Sequence, residues 1–208
     1  PYEVTGEDNA AYIAGTRTLE QANSGSLRNR PHLLGDIVNS SPAYVKETNT
    51  VYVGANDGML HAIDASDGTE LFAFIPNSVN WTDLRDLSNP EYLHKYFVDG
   101  AIVVSDRVQT PGKNILAGML GKGGRGIFTL DVSTPASFAE SNVKWERTGA
   151  TDPNLGIVQS KPIIAKLNDG STALIVSNGV NSDNDRAVLL VYDLESGSLI
   201  KQIDTNVG

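Results

Sequence analysis

The sequence predicts an all-β protein: a segment of a β-propeller with about three four-stranded blades and a short helical insert. Two observations support this fold class. Short runs with alternating apolar residues end in Asn-Asp-Gly or Asp-x-x-x-Gly turns, the pattern of antiparallel hairpins. The pattern recurs along the 208 residues at a period of about 60, with four candidate strands each time. A single four-stranded sheet cannot cover both of its faces, so such units stack radially as blades of a larger ring.

The clearest unit is residues 51–74, VYVGANDGMLHAIDASDGTELFAF. Its first strand alternates Val, Val and Ala with Tyr and Gly, and the NDG run then supplies the positive φ angles of a tight turn. The DASDG run turns the chain again before the third strand. Pro42 cannot donate a ladder hydrogen bond and therefore belongs at a strand start, so an innermost strand is predicted just after it.

An internal comparison extends this unit along the chain. The run LGDIVNSSP ending at Pro42 is similar to LGIVQSKP ending at Pro162. Strand-ending aspartates recur at Asp64, Asp131 and Asp193, at intervals of 67 and 62 residues. The predicted blades cover approximately residues 40–75, 101–147 and 160–205. Because three blades leave two apolar blade faces in water, further blades are expected outside this sequence.

Residues 1–32 form a polar lead-in before the partial propeller of residues 33–208. We predict a solvated segment with one short helical turn, in which Tyr12 and Ile13 pack inward. A chain that starts at Pro1 is expected to be a processed product or an excised part of a longer protein.

The insert at residues 76–100 follows the first predicted blade. It carries a Trp and several other large apolar side chains, too many for a solvated loop, and is predicted to pack over one end or edge of the ring. Two short helices are predicted within it. Their candidate N-caps are Asn80 or Thr82 for a helix through Leu87, and Ser88 or Asn89 for a helix through Tyr96.

Composition excludes several functions. The net charge of −9 disfavours contact with nucleic acid, because an acidic surface repels phosphates. The absence of cysteine excludes disulfides, thiolate metal sites and cysteine nucleophiles. Apolar runs are far shorter than the roughly 20 residues that span a bilayer, so no membrane span is predicted.

Five ordered motifs resemble the C-terminal β-propeller of the PilY/PilC family of type IV pilus tip-associated adhesins. They are GDIVNSSPAYV, VYVGANDGMLHAIDASDGTELFAFIP, YLHKYFVDG, GMLGKGGRGIFTLDV and LGIVQSKPIIAKL. The resemblance implies a modified seven-bladed ring, a place at the pilus tip or outer surface, and roles in pilus biogenesis, twitching motility and adhesion. Minor pilins and a host or abiotic surface receptor are the partners it implies. It also implies calcium binding in several family members, at an Asp-rich loop expected after this segment.

The nearest approach to a cation loop is the run at Asn181, Asp183 and Asp185. Their side-chain oxygens at alternate positions match the first ligands of a calcium loop. The match then fails, because Arg186 replaces the glycine of the sharp turn and Tyr192 replaces the twelfth-position glutamate. The run is interpreted as a polar hairpin loop, and no catalytic, cofactor or metal residue is assigned.

Other motifs have structural interpretations. The run GMLGKGGRG lacks the spacing and hydroxyl of a phosphate loop and is interpreted as a turn with close backbone approach. The histidines His32, His61 and His94 are far apart in sequence, and His61 is interpreted as a packed or half-exposed strand residue.

Two alternatives to a non-enzymatic pilus module remain open. The VYVGxNDGxLxAxD pattern also resembles the blade repeat of quinoprotein dehydrogenases, which use pyrroloquinoline quinone. Against an enzyme, the chain lacks the vicinal cysteine pair of many such proteins, and its tryptophans are limited to Trp81 and Trp145. The other alternative is a purely structural scaffold without partner contacts of its own.

Overall fold

The computed structural model describes residues 4–207, and its strands form three four-stranded antiparallel sheets, each ordered as in the chain. The all-β propeller prediction is therefore confirmed. The first blade contains β1 (Ala43–Val45), β2 (Thr50–Gly54), β3 (Leu60–Asp64) and β4 (Glu70–Phe74). The second contains β5 (Ile102–Val104), β6 (Ile115–Met119), β7 (Gly126–Asp131) and β8 (Val143–Thr148). The third contains β9 (Ile163–Lys166), β10 (Thr172–Ser177), β11 (Val188–Asp193) and β12 (Leu199–Asp204).

The turns follow from glycine placement. In the NDG turn between β2 and β3, Gly58 alone of the three residues has a positive φ, 98°, so the prediction of several positive φ angles there was wrong. The Asp-x-x-x-Gly turns after β3 and β11 repeat each other closely. Gly68 and Gly197 have φ values of 80° and 70°, and their backbone N–H groups donate to the carbonyls of Asp64 and Asp193, respectively, both at 2.9 Å.

Strand alternation divides the apolar core between two blade interfaces. The face of β7 that carries Phe128 and Leu130 packs against blade 1, and the opposite face, which carries Ile127, packs against blade 3. All five residues of β6 are buried, because blade 2 is covered on both sides. The outermost strand of blade 3, β12, has no buried residue.

Aromatic side chains on the outermost strands bridge neighbouring blades. Phe72 of β4 stacks on Phe138 of blade 2, with ring centroids 3.9 Å apart. Trp145 of β8 donates from Nε1 to the carbonyl of Leu194 in blade 3 at 2.9 Å and covers the turn at Gly197. Each of these outer strands therefore supplies an aromatic contact to the next blade.

The lead-in is more buried than the sequence predicted. Helix α1 (Gly6–Ile13) is capped by Thr5, whose side chain accepts from the Asp8 N–H. Tyr12 is 2% exposed, which confirms the prediction that it packs inward, but Leu27 is also only 1% exposed, so the prediction of a solvated segment was wrong there. The reason is that the lead-in packs on the insert, which supplies apolar and hydrogen-bonding partners.

The contacts between lead-in and insert are specific. The Asn9 amide donates to the Arg85 carbonyl and to Ser88 Oγ, both at 2.8 Å. The Arg28 guanidinium donates to the Leu87 carbonyl at 2.7 Å. We refer to residues 4–32 and 76–97 together as the cap of blade 1.

One of the two helices predicted in the insert is present. Helix α2 (Trp81–Arg85) is capped by Asn80, which accepts from the N–H groups of Thr82 and Asp83. The second predicted helix, through Tyr96, is absent from the described chain. The Asn89 side chain instead closes a turn by accepting from the Glu91 N–H at 3.0 Å, and the segment continues without helical hydrogen bonds.

Phe128→Ala tests the importance of the interface between blades 1 and 2. Phe128 is fully buried against the Phe74 ring, 5.6 Å between centroids. Its truncation is expected to lower the free energy of unfolding by about 3–5 kcal/mol. Leu93→Ala is the matched control, since Leu93 is 77% exposed and its loss is expected to cost under about 0.5 kcal/mol. Equal effects of the two substitutions in denaturant unfolding would contradict the assigned interface.

Candidate functional site

A cleft of about 890 Å³ lies between blade 1 and its cap. Its walls are the free face of β3 and β4 on one side and helices α1 and α2 on the other. Apolar side chains dominate the lining, with a few polar groups among them. The lining includes Ile13, Leu34, Met59, His61, Ile63, Gly68, Glu70, Ala73 and Trp81.

The alternation of β3 places its side chains in the cleft. Leu60 and Ala62 face blade 2 and belong to the core, so Met59, His61 and Ile63 face the other way. Helix α2 approaches this face closely because Gly58 has no side chain. A Cβ at Gly58 would lie 2.3 Å from Leu84 Cδ1.

His61 is the most unusual side chain of the cleft. It is only 5% exposed, and each ring nitrogen meets a carboxylate. Nδ1 lies 2.5 Å from Glu70 Oε1, and Nε2 lies 3.0 Å from Asp57 Oδ2. Burial alone would lower the pKa of His61, but the hydrogen bonds and charges of Asp57 and Glu70 outweigh it and raise the pKa above its ordinary value.

The two carboxylates are held differently. Asp57 is nearly buried and accepts from the N–H groups of Gly35 and Met59 at 2.7 and 3.1 Å. The Glu70 side chain is 53% exposed and borders the cleft. The arrangement clamps the β2–β3 turn to β4 and leaves the cluster with one net negative charge when His61 is protonated. Both imidazole nitrogens are engaged, so His61 has no free nitrogen for general-base chemistry here.

A second cavity of about 600 Å³ lies next to the cleft. Asp36 is its central charge, with its carboxylate 2.9 Å from His94 Nε2 and 3.0 Å from Asn56 Nδ2. Burial tends to raise the pKa of Asp36, but the hydrogen bonds from Asn56 and His94 lower it overall. These contacts fasten the segment before β1 to the insert through His94 and to the β2–β3 turn through Asn56.

The candidate cation loop has a different arrangement from a calcium loop. Asp183 forms an ion pair with Arg125 of blade 2, while Asn181 and Asp185 have positive φ angles of 59° and 48°. No group of three or more His, Cys, Asp or Glu side chains in residues 4–207 is arranged to hold a metal ion. The absence of a metal site in this segment stays a prediction.

The glycine run GMLGKGGRG forms a 3-10 turn, Gly121–Gly123, that packs against the end of the insert. A Cβ at Gly123 would lie 1.7 Å from the carbonyl oxygen of Phe97. The predicted turn with close backbone approach is therefore present, and the glycines serve packing.

Sequence reasoning missed the Asp57–His61–Glu70 cluster. It assigns Asp57 to turn chemistry and does not single out Glu70. A signal was available, because the positions in blades 2 and 3 that correspond to His61 carry Phe128 and Leu190. The structure does not bring the three histidines together: His61 and His94 pair with different carboxylates.

Comparison with known proteins identifies the family of this chain. The family model described as the PilY1 beta-propeller domain matches residues 34–208. The chain belongs to the PilY1 β-propeller family. A crystal structure of the Pseudomonas aeruginosa PilY1 C-terminal domain is similar, with a TM-score of 0.60 and 39% identity over 76% of this chain and 31% of that one.

Curated relatives carry names from pilus assembly. A type IV pilus biogenesis factor PilY1 homolog of Xylella fastidiosa is 39% identical over 95% of this chain and 16% of its own length. The type IV pilus biogenesis factor PilY1 of P. aeruginosa strain UCBPP-PA14 is 38% identical over 95% of this chain and 20% of its own length. The chain therefore spans about a fifth or less of these PilY1 relatives. None of the helices in residues 4–207 is long and apolar enough to cross a membrane.

The His61 cluster predicts a pH dependence of stability. Because folding raises the pKa of His61, its contribution is fully present below the unfolded pKa of about 6.5. It is lost as pH rises through the higher folded-state pKa, by about 1.4 kcal/mol for each pH unit that separates the two pKa values. In urea unfolding followed across this window, the wild type should lose stability with rising pH.

The matched control is His61→Gln, whose side-chain amide can still hydrogen-bond to a carboxylate but cannot become a cation. Its stability should change less across the same window than that of the wild type. Parallel pH profiles for the two proteins would show that the two carboxylates do not hold His61 as a cation.

Proposed function

We propose that this chain is a non-enzymatic propeller segment of a type IV pilus biogenesis factor that acts at the pilus tip or bacterial outer surface. There it supports pilus assembly, twitching motility and attachment. The match of residues 34–208 to the PilY1 family carries the proposal. The names of the relatives describe assembly of pili rather than catalysis. Calcium, which the resemblance implies for several family members, belongs in this proposal to chain outside the 208 residues.

The geometry supports a presenting role for the blades. Connections of an antiparallel meander alternate between its two ends, so the β2–β3 turn and the insert after β4 lie at the same end of blade 1. The lead-in joins them there as part of the cap. Binding residues are commonly found on loops that a rigid scaffold positions. We propose that minor pilins and a host or abiotic surface receptor bind at this end. Leu93, in the insert, is an exposed apolar side chain there, with 77% of its surface accessible to solvent.

An in-frame deletion tests the pilus role. Removal of residues 33–208 from the full-length gene in the source bacterium is expected to reduce sheared surface pili, twitching zones and attachment together. Re-expression of the wild-type gene should restore all three. Immunoblots must show that the shortened protein accumulates, so that loss of the segment is separated from loss of the protein. Normal piliation, motility and attachment in the deletion strain would overturn the proposal.

Photo-crosslinking separates a binding module from a purely structural scaffold. A photoreactive residue at Leu93, in the cap, is compared with one at Val108, in the β5–β6 connection at the opposite end. Both side chains are highly exposed, at 77% and 81%. Adducts with pilus subunits are expected from position 93 and not from position 108. Adducts from neither position would favour the scaffold.

An enzyme assay addresses the quinoprotein alternative. The complete protein, reconstituted with pyrroloquinoline quinone, is expected to show no quinone-dependent dye reduction above a boiled sample. Sustained turnover with alcohol or aldehyde substrates would contradict the non-enzymatic proposal.

A further inference from the structure

We infer that the second cavity, next to the cleft, binds a carboxylate attached to an apolar group, and that the Arg28 guanidinium recognises the carboxylate. The ligand is a small organic acid or the carboxy-terminal residue of a polypeptide, two sources of the same chemistry. The cavity volume of about 600 Å³ is typical of sites for small molecules. The inference is independent of the pilus role proposed above, because it rests on contacts within this chain.

Four stretches of chain surround this cavity. They are the lead-in, the segment before β1, the β2–β3 turn and the insert. Hydrogen bonds join these stretches to one another. The Gly35 N–H donates to Asp57 in the turn at 2.7 Å, and Arg28 in the lead-in donates to the Leu87 carbonyl in the insert at 2.7 Å. The walls are therefore held in place without a ligand, as in most small-molecule sites.

Arg28 brings an unpaired positive charge to the cavity. Its Nε makes the bond to Leu87, and its guanidinium lies over the Tyr92 ring, 4.8 Å from the centroid. The Lys95 N–H donates to the Tyr92 hydroxyl at 2.7 Å and so helps to fix this ring. Among residues 4–207, no carboxylate lies within ion-pair distance of Arg28. A fixed guanidinium offers a fork of N–H groups that matches a carboxylate.

The Tyr12 hydroxyl lies near Arg28 and lacks an acceptor. It is buried and makes no hydrogen bond of regular geometry within the described part of the chain. Burial raises the pKa of Tyr12, and the neighbouring charge of Arg28 lowers it in part. A guanidinium has donors only, so Arg28 cannot accept the hydroxyl proton. Because buried donors nearly always have partners, this corner of the cavity calls for an acceptor, which a carboxylate supplies.

The other strong charges of the lining already have partners. Arg30 donates to Glu20 at 2.9 Å. The two aspartates of the lining, Asp36 and Asp57, each bond to a histidine. Arg28 is therefore the permanently charged group of the lining that has no charged partner in residues 4–207. The same aspartates disfavour a ligand with a second negative charge, so a monocarboxylate fits best.

Apolar side chains specify the rest of the ligand. Leu33, Leu34 and Leu87 share the lining with the polar groups. Contact with these residues removes apolar surface of a ligand from water and adds to the affinity that Arg28 supplies. A carboxylate that carries a branched aliphatic group is thus the matching chemistry, whereas acetate alone would use only part of the site.

Ligand-observed NMR with the full-length protein tests the site, with N-acetyl-L-leucine as the probe. N-acetyl-L-leucinamide has nearly the same shape without the charge and is expected to bind at least about tenfold more weakly. N-acetyl-glycylglycyl-L-leucine distinguishes the two sources. Tighter binding of this peptide would identify a polypeptide carboxy-terminus, and equal or weaker binding would identify a small organic acid. Equal affinities of the acid and its amide, or no saturable binding of either carboxylate, would overturn the inference.

Two matched substitutions locate the probe. Arg28→Gln and Arg85→Gln each remove a positive charge of the cap and a side-chain hydrogen bond to a backbone carbonyl, but Arg85 does not line this cavity. Arg28→Gln is expected to weaken binding of N-acetyl-L-leucine at least about tenfold, and Arg85→Gln less than about twofold. Equal effects of the two substitutions would place the probe elsewhere and overturn the inference.

Chemical modification of the wild-type protein gives a measurement that does not depend on the folding of a variant. Phenylglyoxal modifies arginine side chains, and peptide mass spectrometry follows Arg28 and Arg85 separately. At a concentration of N-acetyl-L-leucine about ten times its Kd, only about a tenth of the sites stay free. Arg28 is then expected to be modified about tenfold more slowly, while the rate at Arg85 stays the same. An unchanged rate at Arg28 would contradict the assigned site.

Discussion

The need of each blade to bury both faces governs this structure. A four-stranded sheet of short strands has apolar side chains above and below, and only a neighbour on each side removes them from water. Blade 2 has both neighbours, and every residue of β6 is buried. Blade 3 has one, and β12 carries exposed isoleucines on its outer surface. Between corresponding outer strands, every residue of β8 in blade 2 is partly buried, whereas four of the six residues of β12 are exposed, so a missing neighbour raises the exposure of an outer strand.

Blade 1 departs from the pattern at its free face. Where blades 2 and 3 place Phe128 and Leu190, blade 1 places His61 between two carboxylates. A buried polar cluster is tolerated only when its members are satisfied, and each nitrogen of His61 has an acceptor. Replacement of an apolar contact by a satisfied ionic one lowers the apolar area of this face. It also ties the β2–β3 turn to β4, which a phenylalanine would not do.

The sequence predicted the blades because their signals are local. Alternation, Asp-Gly turns and the recurrence of Asp64, Asp131 and Asp193 all lie within a few residues of the strands they define. The capping of α2 by Asn80 was predictable for the same reason. The burial of Leu27 was not predictable, because the lead-in packs on an insert more than fifty residues away along the chain. The prediction of a second helix in the insert was wrong because the Asn89 side chain accepts from the Glu91 N–H and closes a turn. Helix propensity alone does not distinguish an Asn that caps a helix from an Asn that closes a turn.

The candidate site was not predicted from the sequence, because its burial also depends on contacts between residues that are distant along the chain. His61, Asp57 and Glu70 come from one hairpin and the next strand, so their proximity was within reach of a register argument. Their burial was not, because it requires the cap to close over the free face of β3 through contacts such as Leu84 on Gly58. The same cap narrows access to this face without filling it. The free face of blade 1 therefore differs from the two apolar interfaces between the blades of this chain. It carries the polar Asp57–His61–Glu70 cluster, and helix α2 packs over it.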